Sequence, residues 1–268
     1  MVTNPDFTLT SARMDFYTET KHAFFYGATT ITGEDYVVRC REGFYNTDKK
    51  EGYFKKNASI DYNNRNIIGD SIYFNDTKKY ASATQNIRIT DTINNSFITG
   101  NYGQVFKEKD SAMVTHRALA INLVELDSLF IHADTLIATG PPEQRIIRGF
   151  HDVRIFKEDL SGKTDSIHFN QTSGRAKLIR RPISDRDLQY LTPQEIADRN
   201  PILWSDESQM TGDEIHLTID NEKEVLDSLL IYNNAFVIEQ DSLDAANFNQ
   251  IKGLAHTRQH PKAQDIDL

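Results

Sequence analysis

Apolar and polar residues alternate with period two in short runs along most of the chain, and the runs recur. Gly69-Asp70-Ser71-Ile72-Tyr73-Phe74 returns as Ala133-Asp134-Thr135-Leu136-Ile137-Ala138, as Thr164-Asp165-Ser166-Ile167-His168-Phe169, and as Gly212-Asp213-Glu214-Ile215-His216-Leu217. Looser copies begin at Arg13, Arg41, Asn101 and Asn247. The polar anchors therefore stand at 13, 41, 70, 101, 134, 165, 213 and 247, at intervals of 28, 29, 31, 33, 31, 48 and 34 residues. A second phrase follows between anchors, clearest in Asn57-Ala58-Ser59-Ile60, Asn86-Ile87-Arg88-Ile89, Asp152-Val153-Arg154-Ile155 and Asn234-Ala235-Phe236-Val237. Each unit thus holds two strands. The alternation, the β-branched and aromatic enrichment, and turn signals such as Asn46-Thr47-Asp48-Lys49 and Asn75-Asp76-Thr77-Lys78 predict an all-β fold.

Aligning the copies separates two faces. Four residues after each anchor the column reads Tyr17, Tyr45, Phe74, Val105, Ala138, Phe169, Leu217, Ile251. Three after it, the column reads Phe16, Phe44, Tyr73, Gln104, Ile137, His168, His216, Gln250. Successive strand residues point to opposite faces, so the first column is expected to line an interior and the mixed one to face water or a rim. Eight two-strand units at about 4.8 Å per strand predict an elongated, solenoid-like body on the order of 75 Å long. The interval of 48 marks an insertion at about 181–202. There Thr192-Pro193-Gln194-Glu195 supplies an N-cap, a first-position proline and a capping-box glutamate, and predicts a short helix running to Arg199 before Asn200-Pro201.

Composition changes this picture in several ways. Length alone, 268 residues, suits two domains. The repeat instead predicts one domain over residues 1–253 with an irregular or disordered tail at 254–268. The net charge of −9 disfavours nucleic acid and anionic membrane surfaces. No stretch approaches the roughly 18 apolar residues of a membrane helix. The single cysteine, Cys40, excludes an intrachain disulfide framework. Val2-Thr3-Asn4-Pro5-Asp6 has neither the basic nor the apolar region of a secretory signal.

Little of the sequence points to catalysis or to a metal. Among the eight histidines, His168 and His216 share a column and invite a metal reading. Asp70, Asp134, Asp165 and Asp213 lack the clustered Asp and Gly of a calcium-binding β-roll. They are expected to accept backbone N–H bonds where the chain turns. Gly100-Asn101-Tyr102-Gly103 precedes no helix and is no phosphate loop. Cys40 lies between Arg39 and Arg41 without a His or Asn partner, so it reads as an inert thiol. No catalytic residue, cofactor or metal is expected.

The recurring [Gly/Ala/Thr]-Asp-[Ser/Thr/Glu]-[Ile/Leu] anchor, the following [Asn/Asp]-[Ala/Ile/Val]-x-[Ile] strand and the unit near 30 residues resemble the OstA-like proteins, related to the LptA-type periplasmic bridge. The resemblance covers about residues 2–253. It implies a twisted β-jellyroll, an open β half-pipe whose interior shields the acyl chains of lipopolysaccharide. It implies a non-enzymatic conduit in lipopolysaccharide transport to the outer membrane, binding lipopolysaccharide or its lipid A acyl chains. Tyr17, Tyr45, Ile72, Phe74, Val105, Leu136, Ile167, Phe169, Ile215 and Leu217 would line the groove. The implied partners are other β-jellyroll Lpt-type proteins stacked through edge strands, or copies of the chain itself end to end. The family is exported, so a periplasmic location is expected, the signal having been removed or lying outside a chain that reads as a fragment. The helical insertion departs from the short bridge proteins. The alternatives are a right-handed β-helix enzyme acting on polysaccharide, and a packed structural or adhesive repeat protein.

Overall fold

A computed structural model describes all residues except 4, 63, 124–127, 206–207, 221–224, 241–247, 253–255 and 260–268. The chain is all-β, with antiparallel ladders, a 3-10 turn at Pro142–Gln144 and two short helices. It divides into two compact units, Met1–Asn122 with Ile137–Pro142, and Leu123–Leu136 with Glu143–Leu268.

The first unit contains β1 (Val2–Thr3), β2 (Phe7–Ser11), β3 (Met14–Tyr17), β4 (His22–Phe25), β5 (Thr29–Gly33), β6 (Tyr36–Cys40), β7 (Glu42–Asn46), β8 (Glu51–Tyr62), β9 (Arg65–Asn75), β10 (Tyr80–Asp91), β11 (Ser96–Phe106) and β12 (Ser111–Asn122); β13 follows at Leu129–Thr139. Strands β8 to β12 bend at their middles, and their halves join different ladders. One ladder runs β1, β2, β5, β6, then residues 58–62 of β8, 65–69 of β9, 87–91 of β10, 96–100 of β11 and 119–122 of β12. The other runs β3, β4, β7, then residues 51–55, 71–75, 80–84, 102–106 and 111–115 of the same five strands.

The bend is a β-bulge whose two residues both lie in the left-handed region: Lys56 and Asn57, Gln85 and Asn86, His116 and Arg117. In β8, Lys55 pairs with Ser71 and Ala58 with Gly69, so two bulged residues stand opposite the single Asp70. Asn and Asp tolerate positive φ better than other side-chain-bearing residues, which explains why the second repeated phrase opens on them. The two phrases are therefore the two sides of one corner. The Asn86 amide donates to the Asp70 carboxylate at 2.7 Å.

The corner also shifts the inward phase. Buried positions in β9 step from 67 and 69 to 72 and 74, while those of β8 step from 54 to 58. The residue before each anchor faces the crowded inside of the bend, and only a small one fits. A Cβ on Gly100 would come within 2.4 Å of Val114 Cγ1, and one on Gly212 within 2.4 Å of Ile231 Cγ2.

The outer ends of the strands are joined by short turns that stack on one another. Asn46, Asn75 and Asp91 accept the backbone N–H groups of Lys49, Lys78 and Asn94 at 2.9, 2.8 and 3.2 Å. Neighbouring turns are tied by Thr47 N–H to the Lys21 carbonyl, Asp76 N–H to that of Lys50, and Lys107 N–H to that of Lys79.

The second unit repeats the scheme with β14 (Ile146–Lys157), β15 (Leu160–Asn170), β16 (Arg175–Ile179), β17 (Ile202–Ser205), β18 (Ser208–Thr211), β19 (Glu214–Asp220), β20 (Val225–Tyr232), β21 (Phe236–Gln240), β22 (Phe248–Lys252) and β23 (His256–Gln259). β16 pairs with residues 166–170 of β15 and with β19, whereas β17 pairs with residues 160–163 of β15 and with β18. β16 and β17 are thus two halves of one bent strand whose corner is replaced by residues 180–201. This segment holds α1 (Asp185–Leu188) and α2 (Pro193–Ala197). The Thr192–Glu195 capping box is formed, but α2 ends at Ala197, short of the expected Arg199, and α1 was not signalled by the sequence pattern. At this corner Asp152 faces Asp165, where the corners at Asp70 and Asp213 oppose Asn to Asp. Arg199 supplies the missing positive charge, donating to Asp165 at 2.5 and 2.9 Å, and the Arg181 N–H adds 3.2 Å.

Two expectations need amendment. Asp70 and Asp213 are bound by the side chains of Asn86 and Asn234, whereas Asp165 takes the expected kind of bond, from a backbone N–H. β23 pairs with β20, so part of the 254–268 stretch is strand and not irregular. The anchor at Asn247 lies outside the described residues.

If left-handed backbone sets the corner, Asn86→Val destabilises the protein by about 2 kcal/mol, since a β-branched residue is strained at positive φ and the Asp70 bond is lost. Asn86→Gly costs less than about 1 kcal/mol. Urea denaturation of the two variants checks the difference; equal losses would assign the effect to the amide alone.

Candidate functional site

The column expected to line the interior lies inside, with one exception. Tyr45, Ile72 and Phe74 in the first unit, together with Val105, are exposed by no more than 2%. Leu136, Ile167, Phe169, Ile215 and Leu217 of the second unit are buried as well. In the first unit the two ladders meet through aromatic contacts, Phe7 against Tyr45 at 5.4 Å and Tyr36 against Phe74 at 4.7 Å between ring centroids.

Tyr17 is the exception and faces solvent at 56% exposure. Met14 pairs with buried Phe25 and Phe16 with buried Ala23, so Phe16 and Met14 face inward and Tyr17 outward. The first repeat is therefore anchored at Ala12, one residue earlier than Arg13. In a strand that single-residue slip transfers every side chain to the opposite face. The side chain of Ile251 lies outside the described residues.

The outward column carries a signal the sequence reading passed over. Tyr17, Phe24, Phe44, Tyr53, Tyr73, Tyr80 and Phe106 form an unbroken row of rings across β3, β4, β7, β8, β9, β10 and β11, with centroid spacings of 4.9 to 6.1 Å. Such cross-strand aromatic pairs stabilise a ladder without belonging to its core. Phe44 and Tyr73 already stand in the aligned mixed column, which could have revealed the row.

Polar groups in the apolar interior sit toward the strand ends opposite the corners. Burial pushes the Tyr36 phenol up to about 12, and raises those of Tyr45 and Tyr62 as well. The Tyr45 and Tyr62 hydroxyls are buried without a hydrogen-bond partner among the described residues. Above them the two rims of the first unit are linked by ion pairs. Lys50 meets Asp6 at 2.8 Å, Arg65 meets Asp110 at 2.5 Å, and Lys107 meets Asp35. The Lys107 ammonium also sits 4.1 Å over the Tyr62 ring. Two clefts lie along this line. One of about 500 Å³ is lined by Asp35, Tyr62, Arg65, Val105 and Lys107; the other, of about 530 Å³, by Phe7, Tyr36, Lys50 and Asp76.

No family model matches the chain, and no curated protein matches it. Among solved structures the chain is similar to LptH, described as the LptA-homologous periplasmic component of the lipopolysaccharide transport device of Pseudomonas aeruginosa. The identity is 13%, over 40% of this chain and 76% of that one, with a TM-score of 0.36.

The other sequence candidates resolve plainly. His168 pairs with Lys177 across β15 and β16, and Lys177 with His216 across β16 and β19, so an ammonium group stands between the two imidazoles. Burial, then Arg148 and Lys177, lower the His168 pKa. His216 is engaged by Glu214, which also pairs with Lys177 at 2.6 Å. Burial acts to raise the Glu214 pKa, but the bonds from Lys177 and His216 outweigh it and hold the carboxyl low. Cys40 is buried, and burial pushes its thiol up to about 12, so its arginine neighbours do not activate it.

Two outcomes follow from these placements. Phe74→Ala should cost about 3–5 kcal/mol by urea denaturation, as for a large buried ring, while Tyr17→Ser, which loses one exposed ring contact, costs no more than about 1.5 kcal/mol. Iodoacetamide at mildly alkaline pH should leave Cys40 unmodified in the native protein and alkylate it in urea; rapid native alkylation would contradict a buried, protonated thiol.

Proposed function

We propose that the chain is a non-enzymatic lipid-binding module, a β-jellyroll whose interior receives the acyl chains of lipopolysaccharide or its lipid A in a periplasmic relay to the outer membrane. One observation carries this reading: an apolar column runs inside the paired ladders of each unit, and in the first unit the rims facing the corners are linked through side chains. Burying each methylene there contributes about 0.8 kcal/mol and demands no directional bond, which suits a cargo that must be both held and released. The repeated motifs resembling OstA-like proteins point the same way. Ile72, Phe74, Val105, Tyr45, Leu136, Ile167, Phe169, Ile215 and Leu217 are the proposed lining, and Tyr17 is withdrawn from it. Among the described residues β1 and β3 each have a partner strand on one side only, β2 and β4 respectively. Such edges suit strand addition by another β-jellyroll or by a second copy.

The near-complete burial of the column favours a second reading, a packed structural repeat protein that takes no ligand. Photocrosslinking separates the two. Benzoylphenylalanine at position 74 or 169 should label lipopolysaccharide, and at outward-facing position 73 should not. Equal labelling from all three, or none from 74 and 169, would overturn the lipid reading in favour of the packed one.

A further inference from the structure

Three of the first unit's ion pairs, Lys50–Asp6, Arg65–Asp110 and Lys107–Asp35, share one geometry. At the outer edge of the first ladder, Asp6 precedes β2, Asp35 lies in the turn between β5 and β6, and Arg65 opens β9. Lys50, Lys107 and Asp110 belong to turns at the outer edge of the second, between β7 and β8 and between β11 and β12. Each pair therefore joins one rim to the other. The joined rims lie farthest from the corners, where a hinge motion has its longest lever.

We infer that these pairs are a reversible clasp over the seam through which an acyl chain enters the interior. The inference rests on the lipid-binding reading and names how that same site is opened. An apolar seam would stay shut, because opening it exposes apolar surface, and a backbone-paired seam would have to unpair strands. Ion pairs at a water-facing edge behave differently. Closed, they are partly desolvated: the Arg65 side chain is 6% exposed and that of Lys107 17%. Open, both partners regain hydration, so the attraction lost is largely replaced and the two states stay close in free energy. Directly beneath the clasp lies the cleft of about 500 Å³ floored by Tyr62 and Val105. The orphan Tyr62 hydroxyl there marks a place where opening satisfies a group that closure leaves bare.

The test uses the full chain in a Cys40→Ala background with nitroxide labels at Glu34→Cys and Lys109→Cys, exposed positions on opposite rims, and N-dodecyl dansylamide as an uncharged acyl probe. Removing two pairs by Asp35→Asn with Asp110→Asn should lengthen the interlabel distance. It should also speed probe uptake about 25-fold, taking about fivefold for each pair. Swapping one pair, Asp35→Lys with Lys107→Asp, should restore wild-type distance and rate. Raising salt from about 0.02 M to about 1 M should open the wild type without any substitution, which keeps the test available if a variant does not fold. Wild-type uptake with no change of rate or distance in the variants or in salt overturns the clasp and leaves lipid binding standing. Rims that part while no variant takes up probe overturn the lipid-binding reading and, with it, the role of the clasp as its entrance.

Discussion

The corner within each long strand is the constraint on which the rest of the structure depends. Two consecutive left-handed residues opposite one anchor turn a single strand of eleven or twelve residues into two halves that serve two ladders. Left-handed backbone costs on the order of 1 kcal/mol per non-glycine residue, so a row of such corners persists only because the surrounding ladders fix it. What the corner supplies in return is an inside: it directs Phe54 and Ile60, on opposite halves of β8, into one core. The small residue before each anchor follows from this, since the bend leaves room for a glycine, alanine or threonine and little more.

The sequence made this architecture legible through repetition, because corner chemistry is local and must recur. Asp70, Asp165 and Asp213 mark the single-residue side of the bend, and Asn57, Asn86, Asp152 and Asn234 the bulged side. What the residues do not state is their alignment when the anchor is degenerate. Arg13 looks like an anchor because it is polar, yet Ala12 holds that place, and one residue of error sent Tyr17 to the wrong face. Nor does a period-two pattern say which residues across separate strands become neighbours. The row from Tyr17 to Phe106 and the pairing of Arg65 with Asp110, 45 positions apart, are products of register that no local window contains.

The insertion in the second unit shows how independent the corner is from the ladders it joins. Residues 180–201 replace a two-residue bend, yet β16 and β17 keep their places against β15, because each half-strand is held by its own ladder bonds and its own inward side chains. Only electrostatics needs repair. With Asp152 and Asp165 brought to the same corner, two carboxylates would repel, and Arg199 at the end of the insertion, with Arg154 against Asp152, neutralises them. A segment tolerated here on mechanical grounds is therefore still fastened to the fold by the charge of the corner it displaced.

The opposite edges obey a different logic. At the corners the chain itself connects the ladders, and separating them there would break strands. At the rims of the first unit the connection is made by side chains on or beside short turns, several of which are fixed by Asx bonds and tied to neighbouring turns through the backbone. A structure that is covalent on one edge and ionic on the other has a defined direction of opening. That asymmetry is what the proposed clasp would use, and it arises from the placement of corners and turns alone.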